Sequence, residues 1–311
     1  SGSTQLCDHG THVAGIAAGY NTSLNTGEPS SGVAKNAKIV AVQVFTRFGS
    51  DVSAYVSDQI LALEWVAANA VNLSNGVKLA AVNMSLGGTT KYTSACDSES
   101  RKVAIDALLA LGVATVISSG NSGYTDGVGA PGCISSAVTV GSSTKSDGIS
   151  SFSNMGPQVD LMAPGSSILS SIPTVPSSTT TYAFFNGTSM AAPHVAGTFA
   201  AIRSVCPSKT IAQILTALQN TGISVTDTRG GGTLTRNRIR VGLAAQQPGC
   251  GSAVATHDFS AEQRSDILWK HSGGSVAMWL MNGGTVRQSA AVATVDANWT
   301  MQQTGDFNGD G

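Results

Sequence analysis

The sequence predicts an α/β fold, in which helices cover both faces of a parallel β-sheet and a small β module follows. Residues 38–44, 79–84 and 113–117 are short, apolar and rich in β-branched side chains, as buried parallel strands are. Helix-like stretches at 55–70 and 99–111 alternate with these predicted strands. Alternating strands and helices favour a parallel sheet with right-handed crossover connections.

Both helix-like stretches carry an apolar stripe at helical spacing. The stripes consist of Val56, Ile60, Leu63 and Ala67 in the first stretch, and of Val103, Ala107 and Leu111 in the second. The most apolar part of the chain, residues 103–117, is interrupted by a charged residue and a glycine, which favours a buried helix and strand over a transmembrane helix. Ligand sites in such sheets gather at the carboxyl ends of strands, here residues 83–88 and 118–123.

A change in composition predicts the domain limits. Residues 246–252 are rich in Gly, Pro and Gln, as linkers are, and the helical pattern disappears after them. We predict a first domain over residues 1–245, a linker over 246–255 and a β module over 256–311. In this module, short strands at 267–269 and 276–281 are expected around Gly-rich turns.

The charge and cysteine content narrow the class of protein. Charged residues make up 11% of the chain and the formal net charge is −1, against about 25% charged residues in an average soluble domain. Nothing in this balance favours nucleic acid or a membrane as a partner. The five cysteines include no Cys-x-x-Cys pair, so we expect disulfides and an oxidising compartment rather than a zinc site. Buried free thiols are the alternative.

Two segments carry the residues for nucleophilic catalysis. Residues 8–15 (DHGTHVAG) and 186–197 (NGTSMAAPHVAG) each place a His or a Ser at the expected opening of an Ala/Gly-rich helix. Unpaired N–H groups at a helix start stabilise negative charge on a substrate. A serine hydroxyl needs a base within hydrogen-bonding reach. The residues alone permit a pairing of Ser189 with His9 without requiring it.

These two segments resemble the histidine and serine signatures of the subtilisin-like serine proteases, the subtilases. Further segments resemble the family in the same order: residues 84–88 (MSLGG), 119–121 (SGN), 130–132 (APG), 151–156 (SFSNMG) and 162–165 (MAPG). The resemblance extends from about residue 8 to about residue 245.

The resemblance implies a secreted, monomeric serine endopeptidase with the subtilisin-like fold, polypeptide substrates and no catalytic cofactor. It implies that Ser189 is the nucleophile, that His9 is the general base and then the general acid, and that Asn121 donates to the oxyanion hole. The residues expected to bind the substrate are Ser85, Leu86, Gly87, Gly120, Ala130 and Pro131. His12 and His194 are expected to be structural.

The cysteines fit this interpretation. Cys96 and Cys133 fall on loops around the expected site, and we predict a disulfide between them. A bridge between Cys206 and Cys250 is a second candidate. Cys7 is expected to pair outside this chain.

The sequence departs from the family pattern at one position. The catalytic aspartate of the family lies upstream of the histidine, and only eight residues precede His9. Asp8 adjoins His9 in sequence and cannot readily reach behind the ring. We therefore expect a fragment truncated before the aspartate, which holds the imidazole tautomer and whose loss costs roughly ten-thousand-fold in rate. As a fragment, the chain is expected to be weakly active or inactive.

The C-terminal segment resembles the FG-GAP-like repeats of secreted proteins, which form β-propeller blades. Asp306, Asn308 and Asp310 alternate around a glycine turn and could bind a structural Ca²⁺; a turn without metal is the alternative. Two further functions remain open at this point. The chain could be an inactive pseudoprotease, or a cell-surface or glycan-binding protein that uses these repeats.

Overall fold

The computed structural model describes residues 5–21, 31–49, 51–70, 78–173, 181–231, 233–247, 267–270, 275–282 and 285–294. The chain divides into two compact units, Ser1–Gln247 and Pro248–Gly311. This division falls inside the predicted linker; the domain limits themselves stay a prediction.

The elements of the first unit alternate as the sequence predicts. The helices are α1 (Gln5–Ala18), α2 (Val56–Asn69), α3 (Lys102–Ala110), α4 (Thr188–Val205), α5 (Ile211–Thr221) and α6 (Val241–Ala245), with a 3₁₀ turn at Arg229–Gly231. The strands are β1 (Thr46–Phe48), β2 (Asp51–Ser53), β3 (Ala81–Met84), β4 (Lys91–Tyr92), β5 (Ala114–Ser118), β6 (Val128–Gly129), β7 (Val138–Ser143), β8 (Leu161–Pro164), β9 (Ile168–Ser171), β10 (Tyr182–Phe185), β11 (Ile223–Asp227) and β12 (Leu234–Arg238).

Six of the described strands form the central sheet, in the order β11-β12-β8-β7-β5-β3. Every neighbouring pair is parallel except β11 and β12. The predicted parallel sheet is therefore confirmed, and the predicted strands at 79–84 and 113–117 are β3 and β5. In the described part of the first unit, three antiparallel pairs lie outside this sheet: β1 with β2, β4 with β6, and β9 with β10.

The strand predicted at residues 38–44 does not form. This segment has no strand assignment, and its apolar side chains are open to solvent, with Ile39 52%, Val40 45% and Val42 43% exposed. A strand is stable only against a hydrogen-bonding neighbour, and none of the described strands pairs with this segment. The prediction is wrong because the local pattern indicates strand propensity but does not show whether a neighbouring strand is available for pairing.

Both predicted central helices form. The apolar stripe predicted for α2 is partly wrong, and the one predicted for α3 is wrong, because Val103, Ala107 and Leu111 are all exposed. Helix α2 buries Leu63 and leaves Val56 40% exposed, whereas α3 leaves Val103 78% and Leu111 46% exposed. Residues 103–111 are apolar almost throughout, so their spacing does not select one face. The residues that α3 buries are Ala104, Ile105 and Leu108.

Helices cover both faces of the sheet. Ile117 of β5 belongs to the apolar cluster that contains the buried side chains of α2 and α3, whereas its neighbour Val116 does not. Successive residues of a strand face opposite sides, and α4 packs against β3, β5, β7 and β8. Helix α4 therefore covers the other face, and α1 packs against α4.

The second unit contains an antiparallel sheet of β13 (Ile267–Lys270), β14 (Ser275–Asn282) and β15 (Thr285–Thr294). This confirms the short strands predicted there; a propeller blade stays a prediction. Asp306, Asn308 and Asp310 lie outside the described residues. Among the residues that are described, no helix is both long and apolar enough to cross a membrane.

A glycine permits the close approach of α1 and α4. A Cβ atom added at Gly197 would lie 2.6 Å from the backbone oxygen of Ala17 and 3.0 Å from Cβ of Val33. Backbone atoms cannot move aside as a side chain can, so α4 would have to shift away from α1.

We predict that Gly197→Ala lowers the free energy of unfolding by about 1–3 kcal/mol, because it overpacks this contact. Thermal and denaturant unfolding of the purified protein measure it. Gly242→Ala is the control, since its added Cβ meets nothing within 4 Å. Equal stability of the two variants would contradict the prediction.

Asp160, just before β8, is a partly buried carboxyl group. Burial raises its pKa to about 6, although Thr139 N–H donates to it and Arg236 is near. An unfolded carboxyl has a pKa of about 3.9. Asp160 therefore binds its proton more tightly in the folded state. Its contribution to stability is complete below about pH 4 and is lost as the pH rises through 6.

We predict that the difference in the free energy of unfolding between Asp160→Asn and the parent rises by about 2 kcal/mol, in favour of the variant, from pH 4 to pH 8. The amide keeps an acceptor for Thr139 and carries no charge to desolvate. Denaturant unfolding at both pH values measures the difference. The exposed Asp126→Asn is the control, and an equal gain at both pH values would show the argument to be wrong.

Candidate active site

Ser189 lies in the first turn of α4 and is tied to the end of β3. The Ser85 hydroxyl donates to the backbone oxygen of Ser189 at 2.7 Å and accepts from Asn83 Nδ2 at 2.9 Å. Ser189 Oγ in turn lies 3.4 Å from the Ser85 oxygen. Helix α4 begins at Thr188, so Ser189 stands at a helix start as the sequence predicts.

Asn121 is joined to the same helix start. Its Oδ1 accepts from both the N–H and the hydroxyl of Thr188, each at 2.8 Å. The Thr188 hydroxyl, fully buried, also accepts from Gly120 N–H at 3.2 Å. A backbone N–H can only donate, so the atom of Asn121 that faces it must be the oxygen, and the orientation of the amide is fixed.

Two nitrogen atoms lie close to one point beside Gly187. A Cβ atom added at Gly187 would lie 3.5 Å from both Asn121 Nδ2 and Ser189 N. Asn121 is exposed and Ser189 half-buried, so a ligand can reach this space. An oxyanion hole requires N–H donors close to one point, and these two nitrogen atoms meet that requirement.

The turn that carries Asn121 follows directly from β5. Gly120 has a φ of 106°, in the region that favours glycine. This backbone reversal turns Asn121 back towards Thr188 at the carboxyl end of the sheet, where ligand sites of such sheets lie.

His9 lies on α1, which packs against α4. The described helix begins at Gln5, so His9 is in its second turn. The sequence analysis expected His9 at the opening of the helix, and this expectation is wrong. Burial lowers the pKa of His9, and the nearby His12 lowers it further. The imidazole is therefore held neutral to lower pH than usual, the form that can accept a proton.

His12 and His194 have structural contacts, as expected. The ring of the fully buried His12 places Nε2 2.9 Å from the Ala183 oxygen and 3.1 Å from the Ile168 oxygen, and it stacks on Phe185. It thereby joins α1 to the β9–β10 hairpin. His194 Nδ1 lies 2.8 Å from the oxygen of Met190, one turn earlier in α4.

The residues expected to bind substrate form two adjacent segments. Gly88 N–H donates to the Ala130 oxygen at 2.8 Å, and Ser118 Oγ donates to the Leu86 oxygen at 3.3 Å. A Cβ atom at Gly129 would lie 2.3 Å from the Gly88 oxygen, so only glycine allows this approach. The Ala130-Pro131 bond is cis. Residues 85–88 and 129–131 therefore lie side by side.

Comparison with known proteins decides the family. The model of the Subtilase family matches residues 3–242. The chain belongs to the subtilase family. It is 38% identical over 216 residues to subtilisin NAT of Bacillus subtilis subsp. natto. The aligned region covers 68% of this chain and 50% of that protein. It is 34% identical over 257 residues to an extracellular protease of Xanthomonas campestris pv. campestris, which covers 80% of this chain and 39% of that protein.

Solved structures agree with this assignment. A cold-adapted subtilisin-like serine proteinase matches with a TM-score of 0.57 and 36% identity, over 73% of this chain and 72% of that chain. A protease from Pseudoalteromonas arctica matches with a TM-score of 0.60 and 31% identity, over 76% and 70% of the two chains. The chain spans about half the length of curated relatives such as subtilisin NAT.

Sequence reasoning missed two polar residues at this subtilase site. Thr188 lies inside the serine signature and Asn154 inside residues 151–156, but neither was singled out. The sequence carries no local signal for them, because only the fold shows that Asn154 is buried and that its amide therefore requires hydrogen-bond partners. Among the described residues, no group of three or more His, Cys, Asp or Glu side chains could hold a metal ion.

A disulfide joins the loops near the candidate substrate-binding segments of this subtilase. Cys96 and Cys133 are bonded at 1.99 Å, which confirms the predicted pair. Next to the bridge, Asp97 accepts from both the N–H and the hydroxyl of Ser135, at 2.9 and 2.6 Å. Cys206 is disulfide-bonded as well. Its expected partner, Cys250, and the side chain of Cys7 lie outside what the structure describes.

We predict that Cys96→Ser combined with Cys133→Ser lowers the free energy of unfolding by about 3–4 kcal/mol, because the bridge closes a loop between residues 37 apart in sequence. Unfolding with and without a thiol reductant measures this. The reductant should destabilise the parent more than the double variant. A double variant as stable as the oxidised parent would contradict the prediction.

Proposed function

We propose that this chain is the greater part of the catalytic domain of an extracellular serine endopeptidase, which hydrolyses peptide bonds through an acyl-enzyme on Ser189. The observation that carries the proposal is that Asn121 Nδ2 and Ser189 N both lie 3.5 Å from the position of a Cβ atom added at Gly187. Membership of the subtilase family supports it.

In the first half-reaction, the neutral His9 imidazole takes the proton of Ser189 Oγ as the oxygen attacks the carbonyl carbon of the substrate. The carbonyl oxygen becomes an oxyanion and accepts from Asn121 Nδ2 and Ser189 N–H. The protonated His9 then gives its proton to the leaving amine, and the C–N bond breaks.

In the second half-reaction, water gives a proton to His9 and attacks the acyl carbon. The tetrahedral intermediate collapses, Ser189 Oγ leaves and recovers the proton from His9, and the carboxylic acid product is released. We propose that a carboxylate behind the imidazole orients His9, as in the triad of such proteases. No metal or cofactor enters the reaction in this proposal.

The substrate is proposed to bind as an added strand. Residues 85–87 continue from β3 past its carboxyl end, and backbone hydrogen bonds to such a segment bind polypeptides of many sequences. Gly120, Ala130 and Pro131 are proposed to line the pocket for the side chain before the cleaved bond.

The location and the partners follow from the same proposal. A disulfide such as Cys96–Cys133 persists in an oxidising compartment, which supports secretion. Polypeptides are the proposed partners, and the enzyme is proposed to act as a monomer. A Ca²⁺ site at Asp306, Asn308 and Asp310 in an FG-GAP-like repeat stays a proposal without structural support.

We predict that Ser189→Ala abolishes peptide hydrolysis by the protein expressed from its complete coding sequence, because the attacking oxygen is lost. Initial rates on casein and on a peptide p-nitroanilide measure it. Ser146→Ala, at an exposed serine, is the control and should retain parental activity. Asn121→Ala should lower kcat about 100- to 1,000-fold, a magnitude taken from another member of this family.

Hydrolysis by Ser189→Ala at the parental rate would contradict the proposal. An inactive parent with an intact fold would instead favour a pseudoprotease.

A further inference from the structure

Asn154 is a buried side chain that encloses the turn on which Asn121 lies. It is 0% exposed. Its Oδ1 accepts from the backbone N–H groups of Ser122 and Tyr124, at 2.9 and 3.1 Å, and its Nδ2 donates to the Ser119 oxygen at 3.0 Å. The side-chain amide therefore bonds backbone groups on both sides of Asn121.

We propose that Asn154 is a positioning residue for peptide hydrolysis, whose amide holds the turn of residues 119–124 so that Asn121 Nδ2 faces the oxyanion. This inference rests on the proposed function, because it assumes the role of Asn121 there.

The orientation of the Asn154 amide is fixed by its partners. Two N–H groups require an oxygen opposite them, and a carbonyl oxygen requires a donor, so a flipped amide would lose all three bonds. The backbone of Asn154 makes two further hydrogen bonds to the same turn. Its N–H donates to the Gly120 oxygen at 2.9 Å, and its own oxygen accepts from the Ser119 hydroxyl at 2.8 Å.

The Asn154 amide packs tightly against Gly120 of this turn. A Cβ atom added at Gly120 would lie only 2.3 Å from Asn154 Nδ2. The amide thus lies directly against the backbone of the residue before Asn121. A change at Asn154 is therefore passed to Asn121 through one peptide unit.

Two contacts of different kinds then hold Asn121. Thr188 binds Oδ1 and sets the rotation of the side chain, whereas Asn154 sets the path of the backbone that carries it. Without Asn154, the Cα of Asn121 can shift while its bond to Thr188 persists. Misplacement of a catalytic group by about 1 Å can cost roughly 100-fold in rate.

The position of Asn154 is itself supported by an ion pair. The Arg229 guanidinium donates to the oxygens of Ser151 and Ser153, at 2.7 and 2.9 Å, and pairs with the buried Asp227 at 2.7 Å. These contacts hold the backbone that leads into Asn154. The Asn154 side chain therefore acts as a fixed support for the turn.

The first test is a pair of variants in the protein expressed from its complete coding sequence. Asn154→Ala removes all three side-chain bonds and should lower kcat about 10- to 100-fold, with a smaller change in KM. Asn237→Ala is the matched control. Its amide bonds the Gln219 oxygen and the Ser224 hydroxyl away from this turn, so it should cost stability and leave kcat unchanged.

The second test separates positioning from general stability. If Asn154 acts through Asn121, then Asn121→Ala combined with Asn154→Ala should be as slow as Asn121→Ala alone, because the lost donor cannot be misplaced further. Multiplication of the two single effects would overturn the inference. Parental kcat in a folded Asn154→Ala would also overturn it.

The third test uses the isosteric Asn154→Asp, which covers the case that Asn154→Ala does not fold. A protonated carboxyl keeps an acceptor for Ser122 and Tyr124 and a donor for Ser119, whereas a carboxylate faces the Ser119 oxygen with no proton. The ratio of variant to parental kcat should therefore fall as the pH rises. The ratio removes the effect of His9 titration, because His9 titrates in both proteins. Arg229 and Asp227, the charged groups beside the turn, are paired with each other in both proteins and therefore do not change the ratio.

A ratio independent of pH would overturn the inference. Failure of the proposed function has a different signature, since activity would then survive in Ser189→Ala. Loss of activity in Ser189→Ala together with parental kcat in both Asn154 variants would reject the positioning role alone.

Discussion

The hydrogen bonds between Asn121 and Thr188 are the constraint on which the rest of the site depends. They join a turn at the end of β5 to the start of α4, two segments 67 residues apart in sequence. Because Thr188 donates to the Asn121 oxygen, the amide nitrogen is left for other partners, and it lies close to the same point beside Gly187 as Ser189 N. These two hydrogen bonds thus hold Asn121 next to the helix start that carries Ser189, the proposed nucleophile.

The sheet provides the rigid frame for this contact. Strands β5 and β7 are buried along their whole length, which fixes where their carboxyl ends and the following turns lie. Helix α4 packs across four strands and carries Ser189 at its first turn. Small residues matter as much as large ones here, since Gly197 allows the backbone of α1, with His9, to approach α4 closely.

Polar groups buried around the site hold loops rather than the core. Asn154 holds the turn of Asn121, Ser85 joins the end of β3 to Ser189, and His12 joins α1 to a hairpin. An isolated loop has little apolar surface to bury, so hydrogen bonds to backbone groups must define its shape. These contacts lie within or next to the segments that resemble the family signatures.

The sequence by itself determined the family, the alternation of strands and helices, the strands β3 and β5, the disulfide of Cys96 and Cys133, and the candidates Ser189, His9 and Asn121. These features can be inferred from local patterns and contiguous motifs of the sequence. Only the tertiary structure decided which face α3 buries, that residues 38–44 have no strand partner, and that Thr188 and Asn154 support Asn121. Each of these depends on which distant groups are available to pair or pack, and a chain read residue by residue does not contain that information.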